Sequence, residues 1–153
     1  RTFLKLSQPL RTEEDRMTLV QGLNNGTIDV IVSDHKPEDE ENKRLTFAQA
    51  ATGASGIETL LALSLELYHN GSVKLETLIR TLTSNPAKIL KINKGNLKIG
   101  SDADLCIFDL DHPWKVDVSK LKSKSKNAAI ENRKLQGKVL MTYLKGESVF
   151  NLQ

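Results

Sequence analysis

Residues Thr27 to Leu45, TIDVIVSDHKPEDEENKRL, decide the fold. The stretch runs from the β-branched residues Ile28, Val30, Ile31 and Val32 into an Asp-His pair, then a proline, then a cluster of acids. A short apolar run with its polar residues gathered at the C-terminal end has the make-up of a buried parallel strand. Parallel strands are covered by helices on their faces, so helical patterns are expected on either side.

Both flanks carry them. Upstream, Thr12 is a candidate N-cap, and Glu13, Glu14 and Asp15 put negative charge on the first turn, where the helix dipole favours it. Met17, Leu19, Val20 and Leu23 form an apolar stripe, and Asn24-Asn25-Gly26 stops it, giving a helix over 13–24. Phe3, Leu4 and Leu6 suggest a short strand before it, ended by Pro9. Downstream, apolar residues at 57, 60, 61, 63, 65 and 67 give a helix ending at His69-Asn70-Gly71. KLETLIRTLTSN reads as another helix, and NPAKILKI as a short one with Pro86 at its first position. Near Ile92 the character changes. Glycines fall at turn positions, Leu105 to Phe108 is β-rich, and GKVLMTYLKGESVFNL reads as two strands joined at Lys145-Gly146-Glu147. Two units are therefore expected, an α/β unit over 1–91 and a β unit over 92–153.

The chain of 153 residues, 39% hydrophobic and 27% charged, fits one soluble globular domain or one domain with part of another. No apolar run approaches the roughly 18 residues needed to cross a bilayer, so no membrane role is expected. The formal charge of +3 is small and mixed along the chain, which gives nucleic-acid binding little bulk attraction. Lys120, Lys122, Lys124 and Lys126 form a local strip, read as a mobile solvated loop. The single Cys106 has no partner for an internal disulfide and reads as a core residue in a reducing, cytoplasmic protein. The chain opens without Met inside an alternating apolar pattern, from which a fragment is expected.

In parallel α/β folds ligands sit at the carboxyl ends of strands, and Asp34 stands at such an end. A carboxylate there either caps the following turn or ligates a divalent cation and carries a proton from attacking water to a leaving nitrogen. His35 points to the opposite face if strand geometry continues. His69 and His112 read as structural or solvated. Glu38 to Glu41 lacks the spaced ligands of a calcium loop and reads as a solvated acidic loop. A catalytic zinc takes three protein ligands, whereas this sequence offers one well-placed carboxylate and three scattered histidines.

Five segments, IDVIVSDHKP, GASGIETLLALSLELYHNG, LIRTLTSNPAKIL, GNLKIGSDADLCIFDLD and LQGKVLMTYLKGESVF, resemble in order the C-terminal portion of dihydroorotases of the amidohydrolase superfamily. The resemblance covers essentially the whole chain. It implies the last strands and helices of a (β/α)8 TIM-like metal-dependent hydrolase barrel over 1–91 and part of a small β-sandwich domain over 92–153. It also implies a zinc-dependent cyclic amidohydrolase that interconverts N-carbamoyl-L-aspartate and L-dihydroorotate in pyrimidine biosynthesis. One or two zinc ions would be completed upstream, because the family's His-x-His pair, carbamylated Lys and two further His belong to earlier barrel strands. The same resemblance implies the N-terminal part of the barrel, a second copy or aspartate transcarbamoylase as protein partners.

Residue by residue, Asp34 matches the family's metal ligand and proton shuttle. Ser7 stands where many members carry a substrate-contacting Asn, and Thr52 and Gly53 where backbone groups contact the pyrimidine ring. Many members read Asp-His-Ala-Pro-His, the last His binding substrate. Here Lys36 replaces the Ala and Glu38 the His, and an anionic Glu38 beside a substrate carboxylate requires a cation such as Lys36, Lys43 or Arg44. Two other readings stay open: a non-catalytic dihydroorotase-like scaffold for aspartate transcarbamoylase, motivated by that departure, and a hydantoinase or dihydropyrimidinase.

Overall fold

The computed structural model describes residues 2–152, which form helices over the first part of the chain and one three-stranded sheet over the last. Arg1 and Gln153, the outer ends of the two expected units, lie outside the described residues. Helix α1 (Glu13–Asn25) begins at a capping box. Thr12 Oγ1 accepts from the Asp15 amide at 3.2 Å, and the Asp15 carboxylate accepts from the Thr12 amide at 3.2 Å. It ends at Gly26 in the left-handed region, as its sequence requires.

Of the expected stripe, Val20 and Leu23 are buried, while Met17 and Leu19 are exposed. The buried pair packs with Val73 and Leu78, and Ile28, Ile31 and Leu67 close the cluster. Leu78 belongs to α4 (Leu75–Leu82) and Leu67 to α3 (Leu60–His69). The remaining helices are the short α2 (Glu40–Lys43) and α5 (Ser84–Ile89). Pro86 is the third residue of α5 rather than its first, still inside the turn whose amides have no intrahelical acceptor.

Two expected strands are absent as strands. Thr2–Leu4 is a 3-10 turn, and residues 27–34 form no ladder among the described residues. A strand is defined by its neighbour. Among the described residues the chain here is joined to its surroundings by Ile28 donating to the Gly22 carbonyl at 2.9 Å, Ile31 donating to the Thr81 carbonyl at 3.2 Å, Asn85 Nδ2 donating to the Asp29 carbonyl at 3.0 Å and a single parallel bridge between His35 and Ala54. Its apolar composition is nonetheless used, since Ile28 and Ile31 pack into the helical cluster while Val32 is 72% exposed.

The sheet runs β1 (Leu105–Lys115), β2 (Lys134–Leu144), β3 (Glu147–Asn151), antiparallel throughout, with β2 and β3 joined at Lys145-Gly146. It is a single sheet; a facing sheet of the expected sandwich does not occur among the described residues. One consequence is that Cys106, expected in a core, is exposed, as is its neighbour Ile107. A bulge between Asp109 and Pro113 sets His112 within β1 rather than in a free turn.

The other face is covered by α3. Ala62 of the helix packs with Val116 and Leu135, flanked by Leu63, Trp114 and Ile130. Helix α3 thus touches both clusters, Leu67 entering one and Ala62 the other. Closest approach is at Gly137, whose φ of +97° suits glycine and whose missing Cβ leaves the space taken by the fully buried Leu65. The Trp114 indole N–H donates to the Gly137 carbonyl at 2.8 Å, and Lys138 Nζ lies 3.7 Å from the Trp114 ring centroid. Gly137→Ala adds a methyl where Leu65 already sits, on a backbone that disfavours any Cβ. Thermal unfolding should show a loss of about 2 kcal/mol or more.

Candidate functional site

Asp34 ends the apolar segment with φ of +42°, a conformation that non-glycine residues seldom hold. Its side chain is exposed, and no hydrogen bond or ion pair engages the carboxylate among the described residues. The next residue is fixed instead. His35 Nδ1 accepts from the Gly56 and Ile57 amides at 3.2 and 3.3 Å, which makes it the unprotonated nitrogen and removes it from metal binding. The Asp-His pair therefore divides, one member free and one structural. No group of three or more His, Cys, Asp or Glu side chains gathers among the described residues. Of the described residues, Asp34 is the free carboxylate at this point that could serve as one ligand to an ion.

Beyond Asp34 two loops lie side by side, 35–45 and 50–57, joined by the Lys36 amide donating to the Ala54 carbonyl at 3.0 Å. Lys43 holds them. It is wholly buried, and its ammonium donates to the carbonyls of Ala51, Gly53 and Lys5 at 2.8, 2.9 and 3.0 Å. Three protons meet three acceptors, which satisfies a charged group that burial would otherwise make costly. Burial still holds the Lys43 ammonium below the usual lysine range; the Glu38 carboxylate opposes that shift, and Lys5 and Lys36 add to it. Lys5 in turn donates to the carbonyls of Ala50 and Ala48 at 2.7 and 3.0 Å, tying the N-terminal segment to the same loop. The sequence signalled none of this. EENK reads as a surface charge run, and backbone acceptors leave no residue-type signature.

A second brace comes from the C-terminal unit. Asn127, 1% exposed, donates through Nδ2 to the Gly53 carbonyl at 3.3 Å. Its Oδ1 accepts from Ser125 Oγ at 2.6 Å, Ser55 Oγ at 3.2 Å and the Glu38 amide at 3.3 Å. The Ser125 hydroxyl shares its one proton with the Glu38 carbonyl. The strip expected as a mobile loop is thus pinned. The Glu58 carboxylate accepts from the Lys122 and Ser123 amides at 2.9 and 3.0 Å, and Lys126 Nζ closes the turn onto the Leu121 and Ser123 carbonyls. Only its lysine side chains keep the solvated character that the alternation suggests.

The residues singled out in the sequence fall unequally around this frame. Gly53 has φ of +127°, and a Cβ there would meet the Lys36 carbonyl oxygen at 2.6 Å. Its own polar groups are engaged: the amide donates to the Lys5 carbonyl at 3.0 Å, and the carbonyl serves Lys43 and Asn127. Thr52 Oγ1 accepts from Lys36 Nζ at 3.4 Å. Glu38 is half-buried, with its carboxylate 3.9 Å from Lys36 Nζ, so Lys36 is its direct counter-charge. Arg44 instead pairs with Glu40 at 2.6 Å, and Lys43 faces the backbone. Ser7 is exposed two residues beyond Lys5, the point at which the N-terminal segment meets Gly53.

His69 and His112 lie apart from this cluster. His69 Nε2 is 3.7 Å from the Asp111 carboxylate beside an open groove of about 790 Å³ between the end of α3 and strands β1 and β2, remote in sequence from the two loops. Glu40, Glu41 and Lys43 form α2 rather than an irregular loop, and the acidic run stays exposed except at Glu38.

Comparison with known proteins follows the same outline. The family model described as "Amidohydrolase family" matches residues 7–149. The chain is 49% identical over 149 residues to dihydroorotase of Ehrlichia canis, covering 97% of this chain and 33% of that protein. It is 46% identical over 152 residues to dihydroorotase of Anaplasma phagocytophilum, covering 99% and 34%. Among solved structures, L-hydantoinase (dihydropyrimidinase) from Arthrobacter aurescens superposes with a TM-score of 0.92 at 35% identity, covering 98% of this chain and 35% of that one. The chain spans about a third of the length of the relatives it matches.

Removing the Lys43 ammonium leaves the Ala51 carbonyl without a donor and the Lys5 and Gly53 carbonyls with one donor each, from the Gly53 amide and Asn127. Lys43→Met is expected to cost about 1–3 kcal/mol, read as a shift in the denaturant midpoint, because a buried unsatisfied acceptor costs about that much.

Proposed function

The chain belongs to the amidohydrolase family, and on that premise we propose that it forms the C-terminal part of a metal-dependent cyclic amidohydrolase acting on dihydroorotate and N-carbamoyl-aspartate. The observation that carries the proposal is Asp34, an exposed carboxylate without a protein partner, held in a strained conformation beside two braced loops. Its freedom is what a ligand and proton carrier requires.

Asp34 would be one ligand to a zinc ion, which when bound polarises the scissile carbonyl and acidifies the attacking water. The carboxylate of Asp34 takes the proton that water loses as the new carbon–oxygen bond forms. It delivers that proton to the ring nitrogen as the carbon–nitrogen bond breaks, and the reverse sequence closes the ring. Lys36 and Thr52 supply a cation and a hydroxyl beside the reacting centre, and Ser7 approaches from the N-terminal segment. Glu38 acts as the partner that orients Lys36, since its charge is matched at 3.9 Å and its carbonyl and amide are bound to Ser125 and Asn127. The role of Gly53 is to let Lys36 lie against it; its amide and carbonyl are already bonded within the chain.

Val32, Leu97 and Ile99 are 72%, 85% and 107% exposed, a waste of apolar surface unless other chain covers them. The further two thirds of sequence present in the relatives is the proposed cover, and it would bring the remaining metal ligands.

In the full-length protein Asp34→Asn keeps shape but loses the proton acceptor, and kcat for dihydroorotate should fall by roughly 10²- to 10⁴-fold. Retention of most turnover overturns the assignment. The likeness to L-hydantoinase supports a second reading, in which the ring carries no carboxylate. Lys36→Met separates them. If dihydroorotate is the substrate, its KM should rise about tenfold, equivalent to about 1.4 kcal/mol of lost charge pairing, with little change for dihydrouracil. Faster wild-type turnover of hydantoin or dihydrouracil than of dihydroorotate favours the second reading.

A further inference from the structure

The loops that present Lys36 and Thr52 have almost no sheet to hold them. One parallel bridge joins them, the Ala51 amide donates to the Asn42 carbonyl at 3.0 Å as a second backbone link, and side chains supply the other ties. Two side chains meet on the Gly53 carbonyl, Lys43 from within the first loop and Asn127 from 74 residues downstream. Lys43 ties Gly53 and the N-terminal segment to the first loop from within that loop. Asn127 adds a tie from outside both loops, its Oδ1 accepting the Glu38 amide and its Nδ2 donating to Gly53, so one planar amide bridges them. The Ser55 and Ser125 hydroxyls lie at 3.2 and 2.6 Å from the same Oδ1, sharing their protons with the Ser125 and Glu38 carbonyls, and together with the Glu38 amide they favour the amide orientation that aims Nδ2 at Gly53.

We propose that Asn127 is a positioning residue, through which the C-terminal unit sets the gap between the Lys36–Glu38 and Thr52–Gly53 loops and so sets the affinity for substrate. The inference rests on the functional reading of those loops given above. Its geometry is particular: an amide 1% exposed, with both of its ends bonded, and with a partner in each loop. An Ala at this position leaves the Glu38 amide and one lone pair of Gly53 without their partner; the Lys36–Ala54 and Ala51–Asn42 backbone bonds and Lys43 remain, so the gap loosens rather than opens, while Asp34, which forms no hydrogen bond to this hub, stays in place. The consequence is weaker substrate binding with little change in the chemical step.

The test uses the full-length protein carrying Asn127→Ala, the milder Ser125→Ala, and Val116→Ala as a control that lowers stability from the core beneath the sheet. For whichever cyclic amide the wild type hydrolyses, Asn127→Ala should raise KM about 5- to 20-fold while kcat stays within about threefold. Ser125→Ala should give a smaller rise in the same direction, which keeps the proposal open to test if Asn127→Ala fails to fold. Hydrogen exchange should quicken at the Glu38 and Gly53 amides in Asn127→Ala and not in Val116→Ala. A KM no higher than that of Val116→Ala at matched loss of Tm, or a fall in kcat with KM unchanged, overturns it. If the wild type turns over no cyclic amide, the functional reading fails, while exchange at those two amides still decides whether Asn127 sets the loops.

Discussion

An ammonium group has three protons, and in this protein Lys43 commits all of them to backbone carbonyls from two other stretches of chain. Everything near the proposed chemistry depends on that arrangement. A buried cation without partners would discharge or unfold its surroundings, whereas one matched proton for proton becomes a rigid three-way joint. Because the acceptors are backbone atoms, the joint fixes the course of the chain rather than the choice of neighbouring side chains. The loops it holds lack a ladder to do so, and the short helix α2 exists to carry Lys43 inward under an otherwise exposed acidic surface.

What the sequence made legible divides along the same line. Helix α1 was readable because its signals are local: Thr12, the acids of the first turn, and Gly26 all act within a few residues of themselves. The hairpin between β2 and β3 was readable for the same reason, its turn residues being adjacent. The segment 27–34 was read as a strand from composition, yet a strand requires a neighbour that composition does not supply. Cys106 was read as buried because its run is apolar, but burial depends on what covers a sheet face. Lys43 and Asn127 escaped altogether. Each sits in a polar run that resembles solvated surface, and each is buried by partners as far as 38 residues away for Lys43 and 89 for Asn127. The weak trace that existed was at Asn127, where a lysine-rich strip ends on an amide followed by Ala128, Ala129 and Ile130.

The replacement of a histidine by Glu38 looks in sequence like a loss of substrate recognition. In three dimensions it is half of a pair. Glu38 needs a cation, and of the three available, Lys43 is committed to backbone and Arg44 to Glu40, which leaves Lys36 at 3.9 Å. The two departures that the resemblance implies thus form one ion pair, Lys36 with Glu38. At half exposure that ion pair adds little to stability, so its value lies in orienting Lys36 over Gly53 rather than in holding the fold.

His35 links this local frame to the rest of the molecule. By accepting the Gly56 and Ile57 amides it anchors the start of the segment that leads into α3, and α3 is the element that packs on both the helical cluster and the sheet. Asp34 is therefore one peptide bond from a residue tied to the segment leading into the main helix, while Asn127, on the connection between β1 and β2, reaches the two loops beside it. Displacement of the sheet along α3 would be felt at Gly53 through Asn127 but hardly at Asp34, which His35 holds to the helix. In the proposed reading two neighbouring tasks thus have separate supports, Asp34 held through His35 and the loops beside it held through Lys43 and Asn127.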